Sequence, residues 1–328
     1  MKYIVYIICS LCLLAGCDKN VTVESTLLHR FAKQPLKSAT MTDDASLLAL
    51  LTKNQVVSVW DSINQKLKYE WDRTQLGDED MQHVELSENK QWLAIAGYWN
   101  ITLVNLEHGQ VIGSWYVQGN QPSATISSLM FYPDGHKALV GMTDGVVLSV
   151  DFQSGLATRH THHDKQITRL AYLPHTSTIM SGARDKKFIS FREDGEIIYQ
   201  REFKSRVTSL INDKQSNKLF ISDALKSHLI MDSESGETLT ELKFFENFRF
   251  FRRGIFYQRG RYLITSSPKS VLTLWDAQTG DEVASWEITR FTSEATTVSL
   301  SLNENNELIT LSSDGAYQVW DIESLLPQ

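Results

Sequence analysis

Cysteine and histidine offer the first chemistry in this chain. Cys9-Ser10-Leu11-Cys12 has the spacing of a redox dithiol or of half a zinc site, and Cys17 follows shortly after. His160, His162, His163 and Asp164 gather three imidazoles and a carboxylate in one short segment. On a strand His160 and His162 project to one side, where two ring nitrogens can reach a metal. The other reading of that segment is a turn that holds no metal. Gly77-Asp78-Glu79-Asp80 is an acidic turn without the ligand spacing of a calcium loop, and reads as solvated surface. A further stretch, Phe244 to Arg253, interleaves aromatic and cationic side chains and continues through Phe256, Tyr257, Arg259 and Arg261. Within it Phe248, Arg249, Arg252 and Arg253 are of the types enriched at binding hot spots. The chain has no G-x-S-x-G elbow, H-E-x-x-H, Walker loop or G-x-G-x-x-G.

The first sixteen residues decide what the cysteines can do. Lys2 precedes an apolar run from Tyr3 to Leu14 and then Ala15-Gly16, the layout of a secretory leader. The run is too short for a bilayer core of ~30 Å, which takes about 20 residues. Cys9 and Cys12 therefore leave with the leader, and the mature chain has no disulfide, thiolate zinc site or catalytic thiol. Leu14-Ala15-Gly16-Cys17 resembles the lipobox of bacterial lipoproteins. That resemblance implies cleavage before Cys17 and acylation, palmitate included, of its sulfur and new amino group. One acyl chain anchors only marginally, at about 0.8 kcal/mol per buried methylene, so several chains would hold the protein at the membrane. Asp18 fits the enterobacterial rule for inner-membrane retention, and Lys19 stands beside it. The expected address is the periplasmic side of the envelope, with the inner membrane favoured over the outer.

Charge narrows the partners. The formal net charge is -7, and losing Lys2 leaves 31 basic residues against 39 acidic ones. Phosphate backbones need clustered basic charge, so nucleic acid is not an expected partner. A chain of 328 residues with 42% hydrophobic and 22% charged residues buries roughly 75% of its unfolded surface.

Past a polar tether, Asp18 to Ser25, the sequence repeats one unit to its end. Val271-Leu272-Thr273-Leu274-Trp275-Asp276 recurs as Val57-Ser58-Val59-Trp60-Asp61 and Gln318-Val319-Trp320-Asp321. Weaker copies place Val104, Val150, Phe191 and Met231 at the tryptophan position. Successive gaps are 44, 46, 41, 40, 44 and 45 residues, the period of a four-stranded propeller blade. The last unit has no room for an outer strand, while the segment from Thr26 to Phe31 is a strand without a unit. The prediction is an all-β, seven-bladed β-propeller of four-stranded antiparallel blades over residues 26–328, its ring closed by the N-terminal strand.

From about Thr26 onward the chain resembles the WD-repeat family. The fourth unit matches best outside its tryptophan position: His163 stands where the family has its Gly-His, and Asp185 follows Ser181-Gly182-Ala183-Arg184. The resemblance implies a hydrogen-bonded network of His163, Ser181 and Asp185, cut short here because Phe191 replaces the tryptophan. It also implies a non-catalytic scaffold that binds proteins, here unknown proteins of the cell envelope, with no cofactor and no small-molecule substrate. Arg169, in the fourth unit, joins Phe248, Arg249, Arg252 and Arg253 in a positive rim that would select an anionic partner segment. Two alternatives stand beside this reading: an assembly factor for envelope or outer-membrane proteins, and a propeller enzyme of lactonase or quinoprotein type.

Overall fold

A computed structural model of the chain describes residues 21–77, 79–213, 215–244, 250–268 and 270–327. Seven four-stranded antiparallel sheets follow one another around a ring. Their innermost strands are Leu36–Met41, His83–Leu86, Ile126–Phe131, Ile167–Leu173, Val207–Asn212, Arg253–Tyr257 and Thr297–Leu302. The expected seven-bladed propeller is therefore the fold.

The repeat marks one place in every blade. Trp60, Val104, Val150, Phe191, Met231, Trp275 and Trp320 all lie at or next to the end of the third strand, opposite Leu48, Leu93, Ala138, Ile179, Leu219, Leu263 and Leu308. Each packs an apolar group against the preceding blade, which for blade one is blade seven, and this is why the position accepts Val or Met as well as Trp. Among the described residues the buried apolar side chains form seven clusters, and each cluster joins two neighbouring blades. A sheet buried on both faces reads as a continuous apolar run, as in Leu47–Thr52.

Ring closure follows the expected route. Leu27–Arg30 pairs antiparallel with Ala316–Trp320 and supplies the outer strand of blade seven. Phe31, just beyond, donates its N–H to Gly315 O at 3.0 Å. Its ring is buried between Trp60 of blade one and Tyr317 of blade seven, with centroids 5.4 and 5.3 Å away. Gly315 has φ +83°, and a Cβ there would come within 2.3 Å of Ala32 O. Only glycine fits this seam.

Two sequence expectations are corrected. The repeat alignment places the start of the inner strand of blade six at Phe251; the strand begins at Arg253 instead, because the fully buried Phe251 ring turns between blades five and six against Phe220 and Trp275. The tether is shorter than residues 18–25. Val21 N–H bonds Ser285 O at 2.8 Å on the outer strand of blade six, Val23 packs on the cluster between blades six and seven, and Ser25 Oγ accepts from Gln318 Nε2 at 3.4 Å.

Candidate functional site: the basic mouth of the central channel

The inner strands begin irregularly, and that irregularity builds the site. In blades one, three, four, five and seven the register shifts at the start of the inner strand. Such a β-bulge leaves one residue without a cross-strand partner and re-aims its side chain. The bulged residues are Lys37, Ser127, Thr168, Thr208 and Val298, and all five line one cavity of about 390 Å³ at the mouth of the channel. Two of the hydroxyls stitch blade to blade. Ser127 Oγ donates to Ile167 O at 2.8 Å and Thr168 Oγ1 to Val207 O at 2.8 Å.

Arginine takes over where the hydroxyls stop. Arg169 faces Gly182, and Arg253 faces Ser266, in equivalent registers of blades four and six. Other blades carry Ser38, Ser128, Ser209 and Ser299 at this level. Arg253 Nε donates to Val298 O at 2.6 Å, which ties blade six to blade seven. Arg169 Nη1 donates to Thr168 O at 2.6 Å. Their remaining contacts converge: Arg169 Nη2 and Arg253 Nη1 both reach Arg252 O, each at 3.4 Å. The Arg252 side chain is exposed beside them, and Arg184 and Arg206 complete the rim.

Within this cavity the charges act on one another. Desolvation, then the charges of Arg253 and Arg252, bring Arg169 down to about 9. Burial also lowers Arg253, opposed by Glu85 and reinforced by Arg252. Burial pushes Glu85, on the inner strand of blade two, up to about 8 against the pull of Arg253. Its carboxyl is therefore largely protonated at neutral pH and neutralises little. His83, on the same strand, is held near 4 by burial and by Lys37 and Arg253. Lys37 alone of the mouth's cations meets a carboxylate among the described residues, Asp80 at 3.5 Å.

The histidine segment divides in two directions. His163 is buried, its Nδ1 2.9 Å from Asp185 Oδ2 and its Nε2 2.8 Å from Ser181 Oγ. His160 and His162 instead lie against Phe191, with centroids 5.0 and 4.8 Å from its ring. Burial lowers the pKa of both. Asp164 is exposed and faces Lys187 at 3.6 Å. Among the described residues no group of three or more His, Cys, Asp or Glu side chains is placed to hold a metal.

The network shared out over the blades is wider than the sequence suggested. In blades six and seven, the tryptophans donate to second-strand threonines: Trp275 Nε1 to Thr265 Oγ1 at 2.8 Å and Trp320 Nε1 to Thr310 Oγ1 at 3.0 Å. Asp144 and Asp314, each before a glycine like a second copy of the Asp185 turn, strap the segment that leads into their own inner strand. Asp144 accepts from Gln121 N–H at 2.9 Å, and Asp314 accepts from Phe291 and Thr292 N–H at 2.6 and 2.9 Å. The signal for them was the repeated Thr-Asp-Gly and Ser-Asp-Gly at one phase of the period. Lys37, Arg184 and Arg206 were missed because scattered single cations become a ring only once the blades are stacked. Phe248 and Arg249, like Cys17 and Asp18, lie outside the described residues.

No known family profile matches the chain. Over 191 residues it is 23% identical to Pre-mRNA-processing factor 19 homolog 2 of Arabidopsis thaliana, a WD-repeat protein. The chain is a WD-repeat-like propeller. That alignment covers 56% of this chain and 36% of the relative, so the likeness reaches about a third of the relative's length.

Proposed function

We propose that this propeller is a non-catalytic platform that binds proteins of a bacterial cell envelope, held at the membrane by lipid on Cys17. The observation that supports it most is the mouth of the channel: a basic rim on an acidic chain, carried by Arg169 and Arg253 on inner strands and by Arg184, Arg206 and Arg252 in the segments adjoining the strands. Binding groups on a rigid scaffold keep their geometry and lose little entropy on association. A lactonase or quinoprotein site needs carboxylates converging on a cation, whereas this mouth converges arginines. The Leu14-Ala15-Gly16-Cys17 sequence supports the anchor, and Asp18 supports retention at the inner membrane.

Three measurements test the reading. Crosslinking in the native envelope should recover a discrete protein partner; recovery of none would remove the platform. Fatty-acid labelling should mark the wild type and be lost in Cys17→Ala, and persistent label in that variant would remove the anchor. Asp18→Ser should move the protein toward the outer membrane on fractionation, and unchanged fractionation would show that Asp18 is not read.

A further inference from the structure

The geometry points to the channel mouth as the receptor for an extended acidic segment of a partner protein, whose carboxylates bind Arg169, Arg252 and Arg253. This rests on the protein-binding reading and gives that reading its chemistry. Arg169 and Arg253 come from different blades, yet both turn to the carbonyl oxygen of Arg252. At 3.4 Å these are long contacts to one shared, neutral acceptor. A carboxylate accepts from guanidinium at about 2.7–2.9 Å, often through two parallel bonds, and such bonds are roughly twice as strong as neutral ones. The pair is thus placed for an acceptor better than the one it has.

Charge leads to the same occupant. Among the described residues none of Arg169, Arg184, Arg206, Arg252 and Arg253 forms an ion pair with a carboxylate. Desolvation first, and then the charges of Arg253 and Arg252, lower the pKa of Arg169, and an entering anion relieves that crowding of like charge. Phe250, Val207 and Val298 share the lining, which gives a peptide apolar contacts that an inorganic ion cannot use. Arg169 is partly covered inside the mouth, where a single chain reaches and a flat bilayer surface does not. A cavity of about 390 Å³ takes a few residues and no folded element.

The test uses the full chain in detergent and a short labelled peptide of alternating Glu and Ala, followed by fluorescence anisotropy. The expected result is saturable binding that weakens roughly tenfold or more between low and physiological salt. The peptide with Gln for Glu should not bind. Arg169→Gln and Arg252→Gln should each weaken binding roughly tenfold while keeping the wild-type melting temperature. Arg253 is left intact because its Nε holds Val298 O. Equal binding of the Gln peptide, or unchanged affinity in both folded variants, overturns the proposal. So does complete displacement by inorganic phosphate at equimolar amounts, which marks a small-anion site, and so does arginine-dependent sedimentation with anionic phospholipid vesicles in place of peptide binding. Envelope crosslinking separates the two levels: a partner recovered equally by wild type and Arg169→Gln leaves the platform standing and removes the acidic receptor.

Discussion

Phe31→Ala should be among the most damaging single substitutions in the chain, lowering stability by about 3–5 kcal/mol. The ring of Phe31 joins the added outer strand to both sides of the closure, touching Trp60 and Tyr317 at once. Removing it leaves a cavity in the cluster that contains Leu36, Leu48, Leu50, Ile309 and Leu311, and the rigid strands around it cannot collapse to fill the space. The melting temperature should fall by roughly 5–15 °C. Limited proteolysis should then cut first near the N-terminal strand, because an unlatched edge exposes its backbone. Ile63→Ala is the control: that side chain is 74% exposed, and its loss should change little. A fall for Phe31→Ala no larger than the control's would mean that the seam contributes nothing.

His163→Ala should follow with a loss of about 1–3 kcal/mol, since it strands the buried Ser181 Oγ and takes from Asp185 one of its several bonds. Its side chain is fully covered and that of Asp185 almost so, which keeps water from replacing either bond. Burial alone would raise the Asp185 carboxyl, but the bond from His163, the N–H of Lys187, the His163 charge and the N–H of Asp164 outweigh it and leave the pKa lowered. The sign follows from that. A depressed carboxyl contributes stability above its ordinary value and loses it as the pH falls through the folded value. Asp185→Asn should therefore flatten the acid limb of a plot of melting temperature against pH. If the acid limb of Asp185→Asn matches the wild type, the carboxylate is not part of the stabilising network. If His163→Ala instead removes a copurifying metal, the segment is a metal site.

Much of the fold was legible because a propeller is a one-dimensional object. Each blade repeats one pattern, and the spacing from Trp60 to Trp320 counts the blades even where Val104 or Met231 replaces the aromatic. Closure was legible for the same reason, through a strand too many at one end and a strand too few at the other. The channel mouth was only half legible. Arg169, Arg252 and Arg253 stood out by type, but their common acceptor is a backbone carbonyl, which no side-chain pattern announces. The bulges that aim Lys37 and Thr168 inward are equally silent, since a bulge adds one residue without changing composition. Asp144 and Asp314 show the opposite case, a signal present in plain sight at a fixed phase but overshadowed by the histidine beside Asp185.

The docking of Val21 on Ser285 bears on how a Cys17-anchored chain would be mounted. From Cys17 to Val21 the backbone makes four steps, at most about 14 Å when fully extended. Val21 and Val23 dock on the outer circumference, between blades six and seven, and an anchor at Cys17 would attach there. A leash that short would hold the disc by its rim, so the axle of the channel would run along the membrane plane and its openings would look sideways. Neighbours diffusing in the same leaflet would meet the arginines laterally, in two dimensions, while a soluble chain descending from above would face the disc's edge. Lengthening the segment between Cys17 and Val21 would free the disc to tilt, turning a fixed heading into a searching one.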